Sequence, residues 1–217
     1  MTDFSERRRM MVDTQIRPSD VTKFPIIEAM LAVPREAFVA DAQREAAYAD
    51  GNIDVAEGRV LLEPRTLAKM LDALDVRPDE LVLDIGCGMG YSSAIVARLA
   101  QLVIGVEENE DLASEAQDQL SAVSADNAIV HGGALVDGAA EHGPYDVLIV
   151  QGGVEVLPDT LLDQLKDGGR AIAIFMTGAL GEVRIGYKSQ GQMSWRLAFN
   201  AGAPVLPGFA KGKEFAL

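Results

Sequence analysis

Cysteine, histidine and basic residues are scarce in this 217-residue chain, and each shortage excludes a chemistry. The single cysteine, Cys87, allows no internal disulfide, which fits a reducing cytoplasm. No base adjoins it in the sequence, so it is not expected to be a nucleophile. His131 and His142 are the only histidines. With one cysteine they make no convincing zinc cluster, so no metal is expected; a strand end and a loop are their expected positions. Nineteen Lys and Arg against 33 Asp and Glu leave a net charge of −14. Such a surface repels phosphate backbones, so nucleic acid is not an expected partner. Arg7, Arg8 and Arg9 cluster, but acids surround them, and a solvated helix face is expected. No apolar run approaches the about 20 residues that a membrane-spanning helix needs, and no membrane partner is expected. The segment from Met1 to Glu6 has no apolar stretch of secretory type. Oligomeric state is left open.

What is present is an apolar fraction of 48%, enough for a sizeable core. The chain fits one domain with an extension: a helical N-terminal part over 1–80, then a core over 81–217. In the first part, Pro25 opens a helix whose core-facing cluster is Ile26, Ile27, Met30 and Leu31, and Pro34 ends it. Residues 49–58 read as a loop. After Pro64, the spacing of Leu67, Met70, Leu71 and Leu74 gives a one-faced amphipathic helix.

From Leu81 strands and helices alternate. Strands are expected at 81–85, 102–106, 127–131, 146–150 and 170–175, and helices at 91–100, 109–122 and 158–166, the last stopped by Gly168-Gly169. This alternation implies an α/β fold, a parallel sheet covered on both faces, with ligands outside the carboxyl ends of its strands. Two further strands, 183–187 and 194–199, flank the turn Ser189-Gln190-Gly191-Gln192.

The most informative stretch is Val82-Leu83-Asp84-Ile85-Gly86-Cys87-Gly88-Met89-Gly90-Tyr91, followed at once by a helical pattern. It reads as a buried strand, a tight turn and a helix N-terminus, with glycines where the backbone turns sharply and a ligand comes close. The spacing is G-x-G-x-G. A dinucleotide fingerprint has its third glycine where Tyr91 stands, and the Lys-Ser/Thr ending of a P-loop is missing. An acidic strand end before G-x-G-x-G resembles motif I of S-adenosylmethionine (SAM) methyltransferases. The next strand ends in Glu107, an acid about 20 residues on, the spacing at which carboxylates accept ribose hydroxyls.

Other segments narrow the resemblance. Met11 to Arg17, Val33-Pro34-Arg35-Glu36-Ala37-Phe38-Val39 and Ala47-Tyr48-Ala49-Asp50 are similar to the N-terminal region of protein-L-isoaspartate (D-aspartate) O-methyltransferases. The likeness runs on through Asp84–Tyr91, Asn127–Val130, Gly143–Val150, Pro158–Leu165 and Gly168-Gly169-Arg170, roughly residues 10 to 175. It implies a Rossmann-like class I SAM-dependent methyltransferase fold: a mostly parallel seven-stranded sheet, helices on both faces, one antiparallel strand. It implies transfer of a methyl group from SAM to a carboxylate of isomerised aspartate in proteins or peptides, the first step of repair. Gly86, Gly88 and Gly90, with Ile85 beside them, would line the methionine part of SAM, Asp84 would fix its amino group, and Glu107 would hold the ribose. A carboxylate acceptor is already ionised at neutral pH, so the chemistry needs alignment and dryness rather than a general base. No catalytic residue is named from the sequence.

Two positions depart from the family pattern. The family has Thr-Ile-Ser-x-Pro before the amphipathic helix, its Ser facing the reacting carboxylate; this chain reads Val60-Leu61-Leu62-Glu63-Pro64. The family has Gly-Asp-Gly after the strand at 127–131, its Asp facing the adenine amine; this chain has Gly133-Ala134-Leu135. Three readings therefore stand. They are an isoaspartyl methyltransferase, a methyltransferase on the same scaffold whose Val60, Leu61 and Leu62 line a pocket for another substrate, and a non-catalytic SAM-binding protein.

Overall fold

The computed structural model describes residues 3–212; Met1 and Thr2, read above for a leader, lie outside them. Three α-helices precede the sheet: α1 (Phe4–Met11), α2 (Phe24–Ala32) and α3 (Pro64–Leu74). Asp3 caps α1 by accepting from the backbone N–H groups of Ser5 and Glu6. Pro25 lies in the first turn of α2, where a missing N–H costs nothing. Ile26, Ile27 and Met30 are buried as expected, but Leu31 faces solvent at 38% exposure. On α3, Leu67, Met70, Leu71 and Leu74 all point inward.

The segment read as a loop at 49–58 is partly a hairpin. Strand β1 (Ile53–Ala56) pairs antiparallel with β2 (Arg59–Leu61), with an irregular register between Asp54 and Ala56. This small sheet stands apart from the main one.

The main sheet has seven strands: β3 (Leu81–Ile85), β4 (Leu102–Glu107), β5 (Ala128–Gly132), β6 (Tyr145–Val154), β7 (Leu165–Thr177), β8 (Leu180–Ser189) and β9 (Gln192–Asn200), ordered β5-β4-β3-β6-β7-β8-β9. The first five are mutually parallel, and β8 runs against all the others. Helices α4 (Tyr91–Ala97) and α5 (Glu110–Ala122) make the crossovers β3 to β4 and β4 to β5, and α6 (Asp159–Leu162) precedes β7. Alternate residues of each strand feed two cores: Val82, Val103, Val147 and Ile172 face one, with α2 to α4, and Leu83, Ile104, Leu148 and Ala171 face the other, with Leu161 of α6. The first core takes in Met11, Met30 and Leu62, so it crosses position 80 without a break.

Helix α6 ends at Leu162, short of the expected 158–166. Leu165 already pairs with Tyr145, and Arg170 with Val147, so Gly168-Gly169 sit in a bulge of β7 rather than stopping a helix. The β8–β9 turn has Gln190 at φ 51° and Gly191 at φ 74°, the left-handed pair of a tight hairpin.

Candidate functional site

Strand order reverses direction between β3 and β6, and in open α/β sheets the ligand crevice lies outside the carboxyl ends of the strands at such a point. From β3 the chain enters the turn Gly86–Gly90, where Gly86, Gly88 and Gly90 have φ of 76°, 57° and 94°. Residues with a Cβ rarely adopt such angles. Gly90 serves packing: a Cβ there would lie 3.4 Å from the Cβ of Ala116 on α5. Gly86 and Gly88 face the hairpin instead. A Cβ on Gly86 would lie 3.2 Å from Arg59 Nη2 and 3.3 Å from Leu206, and one on Gly88 would lie 3.8 Å from Val55. Leu206 reaches the turn because Gly153 exchanges backbone hydrogen bonds with Pro204 and Leu206 at 2.8 and 2.9 Å.

The two acids at the strand ends are both fully buried. Asp84 accepts 2.6 Å hydrogen bonds from Ser92 Oγ and Ser93 Oγ, and a 2.8 Å bond from Gln151 Nε2. Burial pushes its carboxyl up against these bonds, and the neighbouring Glu107 adds to the rise. Asp84 thus clasps the start of α4 to β6. Ile85 is buried in the second core rather than lining the crevice.

Glu107 stands at the end of β4 as expected, but its carboxylate is not open. Arg59 Nη1 and Nη2 donate to its two oxygens at 2.7 and 2.6 Å, Gly88 N donates at 2.9 Å and Asn109 N at 3.1 Å. Gly133 N donates to the Glu107 carbonyl at 3.1 Å, which places Gly133 beside the crevice, and Ala134 follows on the surface. Cys87 is buried in the turn; desolvation, with Asp84 and Glu107 nearby, pushes its thiol well up, away from the thiolate form.

Val60 and Leu62, expected at a pocket, are buried side chains. They are 8% and 2% exposed in the first core, and Leu61 packs half-buried against it. The Leu62 carbonyl accepts from Arg35 Nη2 at 2.8 Å, and Arg35 Nε reaches the Ala47 carbonyl at 2.7 Å while its guanidinium lies 4.9 Å from the Tyr91 ring centre. Arg35 thereby ties the segments around Val33 and Ala47 to the first residue of α4. That tie explains why these distant pieces of sequence accompany the glycine turn.

The sequence reading missed Arg59, Arg35 and Gln151. Arg59 had a signal: Glu57-Gly58 between Ile53–Ala56 and Arg59–Leu61 is a two-residue turn between alternating runs. Gln151 had none, because its aim depends on a register slip between Ile149 and Gly153. His131 sits near the end of β5 as expected, and His142 closes a short 3-10 helix (Ala140–His142) where a loop was expected, yet the two meet. His131 and His142 stack edge to face at 5.7 Å, Glu141 lies 3.4 Å from His131 Nδ1, and the ligand atoms of all three fall within 4.8 Å of one another.

A family model described as protein-L-isoaspartate (D-aspartate) O-methyltransferase matches residues 6–191. A protein-L-isoaspartate O-methyltransferase of Pelotomaculum thermopropionicum is 36% identical over 168 residues, covering 77% of this chain and 73% of that one. A protein-L-isoaspartate O-methyltransferase 2 of Pelobacter propionicus is 33% identical, covering 93% and 89%. Among solved structures, a protein-L-isoaspartate O-methyltransferase superposes with TM-score 0.82 at 22% identity, over 95% of this chain and 66% of that one. A Plasmodium falciparum structure described as a putative member in complex with S-adenosyl-L-homocysteine gives TM-score 0.78 at 18% identity, over 95% and 99%.

Proposed function

This chain belongs to the protein-L-isoaspartate (D-aspartate) O-methyltransferase family, and from that premise we infer that it is a SAM-dependent O-methyltransferase acting on isomerised aspartate in proteins. The observation that carries the reading is the left-handed glycine turn at the switch between β3 and β6, with Glu107 bonded to the turn's own Gly88 N–H. SAM, when bound, supplies an electrophilic methyl group on its sulfonium.

The residues fit such a ligand in kind. Gly86 and Gly88 present backbone without a Cβ, Glu107 carries a carboxylate of the kind that holds a ribose diol, once Arg59 gives up its two bonds to it, and Gly133 and Ala134 form the adjoining edge. The turn itself is held rigid: Asp84 pins the start of α4, and Gly90 seats the turn on α5. Preorganisation of this kind lets a displacement at carbon proceed by alignment alone. The ionised acceptor needs no base, which agrees with a Cys87 buried in the turn.

The altered-pocket reading loses its ground, since Val60 and Leu62 belong to the core. The test is transfer of labelled methyl groups to an isoaspartyl peptide and to its aspartyl twin. Turnover selective for the isoaspartyl peptide is expected. Equal labelling of both peptides, or of neither, would overturn the assignment.

A further inference from the structure

The Glu107 carboxylate has no acceptor capacity left. Two carboxylate oxygens offer about four lone-pair sites, and Arg59 Nη1, Arg59 Nη2, Gly88 N and Asn109 N occupy them. The two backbone donors are fixed by the glycine turn and by the start of α5, which Asn109 caps. Only the Arg59 pair can be exchanged, and its two N–H donors match in number the two hydroxyls of a ribose. The same guanidinium lies against Gly86, in the mouth of the turn.

Arg59 is carried by the β1–β2 hairpin, at the first position of β2. A two-stranded hairpin is marginally stable alone; this one has an irregular register and a left-handed Gly58 at its tip (φ 67°). It lays Val55 over Gly88 and Arg59 over Gly86, closing the turn from outside. Once released from Glu107, a guanidinium in so dry a place needs another anion. Asp84 is engaged by Ser92, Ser93 and Gln151. The amino-acid end of SAM or of its demethylated product carries a carboxylate.

We propose that Arg59 serves two carboxylates in turn, Glu107 while the hairpin is closed and the amino-acid carboxylate of the cofactor once Glu107 has passed to the ribose. Arg59 is thus a specificity residue that favours adenosyl ligands bearing a carboxylate over those without one. The proposal rests on the cofactor assignment made above, and its test separates the two.

Calorimetric binding of S-adenosylhomocysteine and of 5′-methylthioadenosine, which shares the adenosine and the sulfur but lacks the amino acid, is compared for wild type and Arg59→Gln. Glutamine keeps one donor for Glu107 without the charge. The wild type should favour S-adenosylhomocysteine strongly. In Arg59→Gln the preference should shrink at least tenfold, with 5′-methylthioadenosine binding more tightly than it does to the wild type. An unchanged preference, with both ligands still bound, would make Arg59 a structural tie only and overturn the inference alone. Absence of binding by wild type and variant would overturn the cofactor assignment with it. Should Arg59→Gln fail to fold, Arg59→Lys, which keeps the charge but cannot bridge both oxygens, gives the same comparison with a smaller change.

Discussion

The side-chain amide of Gln151 on β6 donates to Asp84 on β3 at 2.8 Å, directly beneath the crevice where the sheet reverses its winding. Both residues are buried, so the bond closes the floor of the site and keeps water from the Asp84 carboxylate. Gln151→Ala leaves one carboxylate oxygen without a partner. The expected loss of stability is about 1–3 kcal/mol, read from urea unfolding. A variant as stable as wild type would mean that the clasp rests on Ser92 and Ser93 alone.

From the sequence, Glu107 reads as a strand-end carboxylate outside the core that holds the ribose, so that its removal would weaken cofactor binding and spare the fold. Its burial against Arg59 changes that expectation. Glu107→Ala strands a buried guanidinium and should cost about 3–5 kcal/mol without any ligand present. Replacing both Glu107 and Arg59 with glutamine should cost less than Glu107→Gln and Arg59→Gln added together, a coupling measured by a double-mutant cycle. Additive losses would show that the two side chains do not depend on each other.

Leu62 stands where the family has a substrate-facing serine, yet it is core. Leu62→Ser should cost about 3 kcal/mol, in the range of large-to-small core changes, and should leave isoaspartyl turnover per folded molecule no higher. Thermal unfolding and the peptide assay check both parts. A stable variant with faster turnover would place position 62 in the acceptor site after all.

At the opposite end of the strands from the glycine turn, Arg170 donates to both oxygens of Glu80 at 2.8 Å. Burial pushes the Glu80 carboxyl up, but the bonds from Arg170 and from Arg77 N outweigh it, so it lies below the usual glutamate value. A depressed acid contributes stability that is present above its unfolded pKa, about 4.3, and lost as pH falls through the folded value. Glu80→Gln should therefore be less stable than wild type at pH 7, by about 3 kcal/mol, with the gap closing below about pH 4. Denaturation curves across that range decide it; a gap constant with pH would remove the ion pair as its cause.

Much of the fold is legible in the sequence because local signals and tertiary structure agree there. Leu81–Ile85, Leu102–Glu107 and Glu110–Ala122 follow from apolar runs and an Asn109 cap. The stretch after Pro158 reads as one helix, but the pairing of Leu165 with Tyr145 draws its second half into β7. At the site, the glycines and the strand-end acids are visible as residue types. Their partners are not: Arg59 is 48 residues from Glu107, and Gln151 is 67 from Asp84. Such separations leave no trace in local periodicity, so each acid looks free until the chain is folded around it.

The core that crosses position 80 has a consequence for synthesis. Met11, Met30 and Leu62 share that core with Ile172, Ile174 and Ile185. On a ribosome adding about 5–20 residues each second, the first third of the protein is made several seconds before the strands that will cover it. During that interval its apolar side chains have only each other. Residues 1–80 produced alone should accordingly show no cooperative thermal transition, and a sharp one would mean that the N-terminal part folds before its sheet exists.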